Sequence, residues 1–195
     1  MTQRILILQG HPDTSEAHLC HALADHYAAG ARTQGHEVRV VDIATLTFPL
    51  LRSQKTWKEC PLPDSLQEAQ AAVGWCQHMV LVFPLWLGDM PALVKAFLEH
   101  VLRPGFAFRY VEGNPLGEKG LTARSARVVV TMGMPAVVYR HLYRAHSIKS
   151  LERNILGFVG FSPVRETLIG SVESMGEREL DKWFRKLREL GAEAR

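Results

Sequence analysis

Three short stretches of this 195-residue chain combine residue types able to hold a ligand: Gly10-His11-Pro12-Asp13-Thr14-Ser15, Pro84-Leu85-Trp86-Leu87-Gly88-Asp89-Met90 and Thr131-Met132-Gly133-Met134-Pro135. The first is polar and precedes an apolar-periodic segment. Free N–H groups at the start of a helix, with His11 and Ser15 as side-chain donors, suit a phosphate. The second carries Leu85, Trp86 and Leu87, an apolar surface of the kind a flat ring needs. The third offers Thr131 and the backbone N–H groups around Gly133 to a carbonyl oxygen. Tyr139, Tyr143, His141 and His146 follow it and bring ionisable groups towards the same place. His18, His21 and His26 lie on the first helix and read as solvated or half-buried, with no metal site expected.

The elements around these stretches determine whether they meet. Residues 79–83 form an unbroken apolar run, as in a strand buried on both faces of a parallel sheet, and Pro84 ends it. Pro91 suits the first turn of a helix whose stripe is Leu93, Val94, Phe97, Leu98, Val101 and Leu102. Residues 4–9, 37–43, 127–131 and 162–169 read as further strands, each followed by helix-like periodicity. Ser15, Ser65 (with Glu68) and Ser174 (with Glu177) read as N-caps. Residues 44–64 are broken by prolines, and residues 103–125 form a glycine-rich polar connection expected to be a binding loop or lid. Residues 137–160 read as helix in two pieces. Five βα units close most simply as a doubly wound α/β sheet of order 2-1-3-4-5, a single domain, with ligands at the carboxyl ends of the strands.

Composition narrows the function further. Hydrophobic residues at 47% and charged residues at 22% are globular values, and a dispersed net charge of +3 gives no nucleic-acid footprint. The three cysteines have no metal-ligand or disulfide spacing, which fits a reducing cytoplasm. The glycine fingerprints of Rossmann and P-loop nucleotide sites and the nucleophile elbow of α/β-hydrolases are missing from the sequence.

GHPDTS after the first strand, FPLWLGDMPALVKAFLEHVL at the centre, PGFAFRY after it and TMGMPAVVY after the fourth strand resemble the flavodoxin-like NAD(P)H:quinone oxidoreductases. That group includes quinone reductases, drug-activity modulators and ancillary proteins of glutathione-gated potassium efflux. The resemblance implies a flavodoxin-like fold, tightly bound FMN or FAD, NAD(P)H as donor, and hydride transfer followed by two-electron reduction of a quinone. It also implies a cytoplasmic homodimer with its active sites at the subunit interface. It places His11, Ser15 and Ala17 by the flavin phosphate and Pro84, Leu85, Trp86 and Leu87 along the isoalloxazine. Thr131, Met132, Gly133 and Met134 would edge the pyrimidine, and Tyr139 with His146 would face the substrate. Relatives usually carry an aromatic residue where Leu87 stands and Thr-Thr-Gly-Gly where this chain has Thr-Met-Gly-Met. Two other readings stay open: a regulatory subunit of a membrane transporter, and a flavodoxin-type electron carrier, which the mild basicity disfavours.

Overall fold

The computed structural model describes residues 1–195, the side chains of residues 115 and 116 excepted. Its strands, in chain order, are β1 (Arg4–Gln9), β2 (Glu37–Asp42), β3 (His78–Pro84), β4 (Phe108–Val111), β5 (Asn114–Lys119), β6 (Arg124–Thr131) and β7 (Phe161–Ile169). Five of them form one parallel sheet of order β2-β1-β3-β6-β7, the expected 2-1-3-4-5 once β4 and β5 are set aside. Every residue of β3 is buried because both faces of the sheet are covered. Ile5, Ile7, Val80, Val82, Val129 and Ile169 point to one core. Leu6, Leu8, Met79, Leu81, Phe83, Val128 and Val130 point to the other. Side chains alternate faces along a strand, so a strand apolar in both sets reads as one continuous run.

The first core is roofed by α1 (Leu19–Thr33) and α8 (Glu177–Ala192), which supply Leu23, Tyr27, Leu187 and Leu190. Their backbones touch: a Cβ on Gly30 would lie 2.0 Å from the Arg188 carbonyl oxygen, and one on Gly191 would lie 2.1 Å from that of Tyr27. The second core is covered by α3 (Asp64–Trp75), α4 (Ala92–Val101) and residues 146–159. On α4 the expected stripe holds, with Val94, Phe97, Leu98 and Val101 buried while Lys95 pairs with Glu99 at the surface.

Several local expectations are corrected. α3 begins at Asp64 with Pro63 as its cap, because the Ser65 hydroxyl donates instead to the Thr47 carbonyl (2.6 Å). α8 begins at Glu177 with Gly176 as its cap, because the Ser174 hydroxyl donates to the Ser171 carbonyl (3.1 Å). Residues 44–64 are not wholly irregular. They contain α2 (Gln54–Glu59), whose first turn is capped by Ser53 Oγ accepting the Thr56 N–H. The connection expected as a lid contains the antiparallel hairpin β4–β5, with Phe108 buried at its base. The two-piece reading of residues 137–160 holds. α5 (Ala136–His141) is separated by Arg144 and Ala145, both at positive φ, from α6 (His146–Ser150). A π-helical stretch (Leu151–Leu156) and α7 (Gly157–Val159) continue from α6.

His78 is fully buried in the central strand, its Nδ1 2.7 Å from Ser125 Oγ. Burial, with Arg127 as a secondary cause, pushes its pKa down to about 3. An unfolded histidine takes up its proton near pH ~6.5. The folded state therefore binds fewer protons below that pH, and its stability falls on acidification towards pH 3. Urea titrations should show stability dropping below pH ~6.5 with a component approaching ~1.4 kcal/mol per pH unit. His78→Gln should lose that component.

Candidate functional site

The sheet brings the three expected loops to one edge. The Gly10 N–H donates to the Val82 carbonyl (2.7 Å), tying the first loop to β3, and the Leu85 N–H donates to the Thr131 carbonyl (2.7 Å), tying the second loop to the third. Cys20 Sγ lies 3.3 Å from Thr131 Oγ1, joining α1 to the end of β6. Position 10 requires glycine, since a Cβ there would lie 2.8 Å from Val94 Cγ2.

The first loop is built differently from its expectation. Ser15 does not cap the helix. Its N–H donates to Asp13 Oδ1 (2.8 Å) in an Asx turn, and the chain runs on in solvent to His18, the actual N-cap of α1. The His18 N–H donates to His21 Nδ1 (3.2 Å), the role a glutamate usually plays in a capping box. The consequence for a ligand is favourable. The N–H groups of Thr14, Glu16 and Ala17 have no acceptor among the described residues. At the root of the loop, Gln9 Oε1 accepts the His11 N–H (2.5 Å), while the buried Gln9 Nε2 has no partner among the described residues.

His11, His18 and His21 form a stack that the sequence reading missed. The His11 and His18 ring centroids are 3.7 Å apart, and His21 lies 5.7 Å from His11 and 5.8 Å from His18. Trp86 meets His11 edge-on at 6.0 Å, so the second loop closes one side of the stack. His18 Nε2 is 3.1 Å from Asp13 Oδ2, and Glu16 completes a group of polar atoms within 4.8 Å. His18 therefore has carboxylate neighbours, brought to it by the loop rather than by helical spacing. Hydrogen bonds from Ser15, then His18, hold the Asp13 carboxyl down at about 2. Burial lowers the His11 pKa, and His18 and His21 lower it further.

The second loop is a two-residue turn. Trp86 and Asp89 exchange backbone hydrogen bonds (2.9 and 3.0 Å), with Leu87 at φ 48° and Gly88 at φ 81°. Positive φ at both central positions is the signature of a type I′ turn, which favours Asn-Gly over Leu-Gly. Pro84 lies inside β3 and Leu85 packs against the core, so Trp86 and Leu87 are the apolar side chains of this loop that reach outward. In the third loop Thr131 and Met132 are buried, while Gly133, Met134 and Pro135 reach the surface. The Glu173 carboxylate stands 3.2 Å from where a Gly133 Cβ would be.

Leu87, Gly88, Met134, Tyr139, Tyr143, His146 and Ser147 line a cleft of about 460 Å³. Tyr139 and His146 are thus brought to the same place, but the Tyr139 hydroxyl is paired with Ser147 Oγ (2.6 Å) and not with His146. Burial raises the Tyr139 pKa, so its hydroxyl keeps its proton at neutral pH. Ser147 escaped the sequence reading because the helix break at residues 144–145 separates it from Tyr139, and no periodicity crosses that break. A second cleft of about 450 Å³ shares Leu87 and Ser147 and extends to Lys95 and Ile155. The arrangement fits an elongated ligand with an anionic end in the first loop and a flat aromatic body between Trp86, Gly133 and the Tyr139 cleft.

A sequence profile described as the flavodoxin-like fold matches residues 3–190. The chain is 23% identical over 177 residues to a protein of Haemophilus influenzae named an uncharacterized NAD(P)H oxidoreductase, covering 89% of this chain and 86% of that one. It is 28% identical over 167 residues to the FMN-dependent NADH:quinone oxidoreductase of Shewanella loihica, covering 79% and 80%. It spans only 57% of a ribosyldihydronicotinamide dehydrogenase-like protein from Penicillium crustosum, with 27% identity over 67% of this chain. Among solved structures, the NAD(P)H:quinone oxidoreductase of Methanothermobacter marburgensis superposes with a TM-score of 0.81 at 20% identity, over 98% of this chain and 96% of the other. No helix among the described residues is long and apolar enough to cross a membrane.

The left-handed Leu87 gives the site a testable mark. An L side chain at positive φ costs about 1 kcal/mol, and asparagine tolerates that region better. Leu87 is fully exposed, so no core contact offsets that cost. Leu87→Asn should raise the unfolding free energy by ~0.5–1 kcal/mol, read from a higher denaturant midpoint at constant m-value.

Proposed function

We propose that this chain, which belongs to the flavodoxin-like fold family, is an FMN-dependent NAD(P)H:quinone oxidoreductase. One observation carries the proposal. Three strand-end loops meet so that unpartnered N–H groups lie at one end and an apolar cleft with a protonated tyrosine lies at the other. FMN rather than FAD is supported by relatives named FMN-dependent. The contacts of residues 46–63 also favour it, since Trp57, Pro49 and Cys60 are engaged by Glu99, His100 and Arg103 at and just beyond α4.

In this reading His11, Ser15 and Ala17 bind the phosphate end, Ser15 through its hydroxyl, since its N–H is held by Asp13, and Ala17 through its backbone N–H. Leu85, with Pro84 behind it, sets the position of Trp86 and Leu87, which flank the ring, and Thr131 and Met132 hold Gly133 and Met134 at its polar edge. The flavin supplies the acceptance and return of a hydride, which the protein side chains cannot. Tyr139 keeps its proton and, oriented by Ser147, donates a hydrogen bond to an oxygen in the cleft. His146 lines the same cleft. Leu142 and Tyr143 stand exposed beside it, and a second copy of the chain covering them would exclude water, consistent with a homodimer.

Purified protein should carry, or take up from solution, a chromophore with the mass and absorbance of FMN. It should then oxidise NADH or NADPH in the presence of a soluble quinone. Tyr139→Phe should lower kcat roughly tenfold with FMN affinity unchanged, the scale of one lost hydrogen bond to a reacting oxygen. A protein that stays colourless and leaves NAD(P)H unoxidised when flavin is supplied overturns the proposal.

A further inference from the structure

The first loop contains an electrostatic contradiction. No lysine or arginine occurs between Gly10 and Ala31, while Asp13 and Glu16 sit where a phosphate would approach. The side chains there that can become cationic are His11, His18 and His21. Neutral imidazoles cannot offset two carboxylates. Protonated imidazoles at 3.7 to 5.8 Å repel one another, and among the described residues the Asp13 carboxylate pairs with His18 alone, leaving His11 and His21 without an anionic partner. Among the described residues, the charged neighbours of the stack are carboxylates. Asp13 and Glu16 face the stack from the loop, and Trp86 faces it from the β3–α4 turn without a titratable group. Cys20, on the same helix, is turned to Thr131, its thiol pushed up to about 11 by burial. Asp89 acts on Tyr139 and Glu173 touches Gly133, both on the cleft side. At the root of the loop the Gln9 amide, 3% exposed, leaves its Nε2 donor unpaired.

We infer that the histidine stack is a proton-gated phosphate clamp, in which the phosphate monoester of FMN is held only as the stack takes up a proton. The inference rests on the cofactor site proposed above and adds a regulation to it: cofactor capture strengthens as pH falls through neutrality. The ligand must be a phosphate monoester, which is dianionic above its second pKa of about 6. Isolated histidine protonates near 6.5. Between these limits and mildly alkaline pH, the bound phosphate raises the proton affinity of the stack, and by linkage the proton raises the affinity for the phosphate. In the free protein His11 is held the other way, its pKa lowered first by burial and then by its histidine neighbours, as an anion-free stack requires.

The test compares FMN with riboflavin, which lacks the phosphate, by quenching of flavin fluorescence at pH 8.5, 7.5 and 6.5. FMN should bind about tenfold more tightly at pH 6.5 than at pH 8.5, the scale of one proton taken up together with the phosphate. Riboflavin should change less than twofold. The double variant His18→Asn, His21→Gln keeps side chains suited to the cap and to the reciprocal bond, so α1 should still form, as circular dichroism can verify. It should bind riboflavin as the parent does and lose the pH dependence for FMN. If riboflavin binds but FMN affinity is flat with pH, or if the double variant keeps the slope, the clamp is overturned while the flavin site stands. If neither flavin binds at any pH, both fall.

Discussion

A strand buried on both faces has no side chain to offer a ligand, and β3 is such a strand along its whole length. Everything this protein can do at its centre must therefore be done at the end of that strand, by the loop that leaves it and by the loops beside it. Parallel pairing then decides which loops those are. β1 and β6 run alongside β3 in the same direction, so their carboxyl ends open at the same edge. The hydrogen bonds from Gly10 to Val82 and from Leu85 to Thr131 lock the loops in register before any side chain of the site is considered. The two apolar cores make that edge rigid. Chemistry is confined to a rim whose backbone is fixed from below.

On that rim the polar and apolar parts are separated by chain order. The loop after β1 carries carboxylates, histidines and unpartnered N–H groups; those after β3 and β6 carry Trp86, Leu87, Gly133 and Met134. A ligand crossing the rim meets charge first and a dry cleft second. Tyr139 sits at the far end of that path with its proton retained by burial and its direction set by Ser147. The charged end is the less settled half in energetic terms, because between Gly10 and Ala31 the chain has histidines and no lysine or arginine.

The sheet and its order were legible because doubly buried strands leave continuous apolar runs, and because the stripe from Val94 to Val101 fits one helical face. Local capping was much less legible. Ser15, Ser65 and Ser174 satisfy the sequence rule for an N-cap, yet Ser15 lies outside α1 and the other two hydroxyls donate to nearby carbonyls. A serine can serve a helix or a turn equally well, and tertiary position decides between them. The hairpin β4–β5 escaped because β4 is only four residues long and β5, NPLGEK, contains both a proline and a glycine. In the site, the loops could be read from composition, but the histidine stack could not. His11 reaches His18 only because the Asx turn at Asp13 folds the chain back, a geometry without periodic signature.

Leu87 joins these themes, because its placement runs against local preference. A leucine at φ 48° in a two-residue turn, fully exposed, gains nothing from the core and loses conformational energy to the backbone. Strain of that kind persists where the surroundings over-determine it, and here they do. Trp86 and Asp89 are clamped to each other by paired backbone bonds, and the neighbours Leu85 and Met90 are anchored inward. The turn closes with its second and third residues left-handed. The side chain at the first of those positions is thereby projected clear of the protein at the mouth of both clefts. An apolar group held there has no structural use for a single chain in water. It is placed to touch whatever occupies the cleft or covers it.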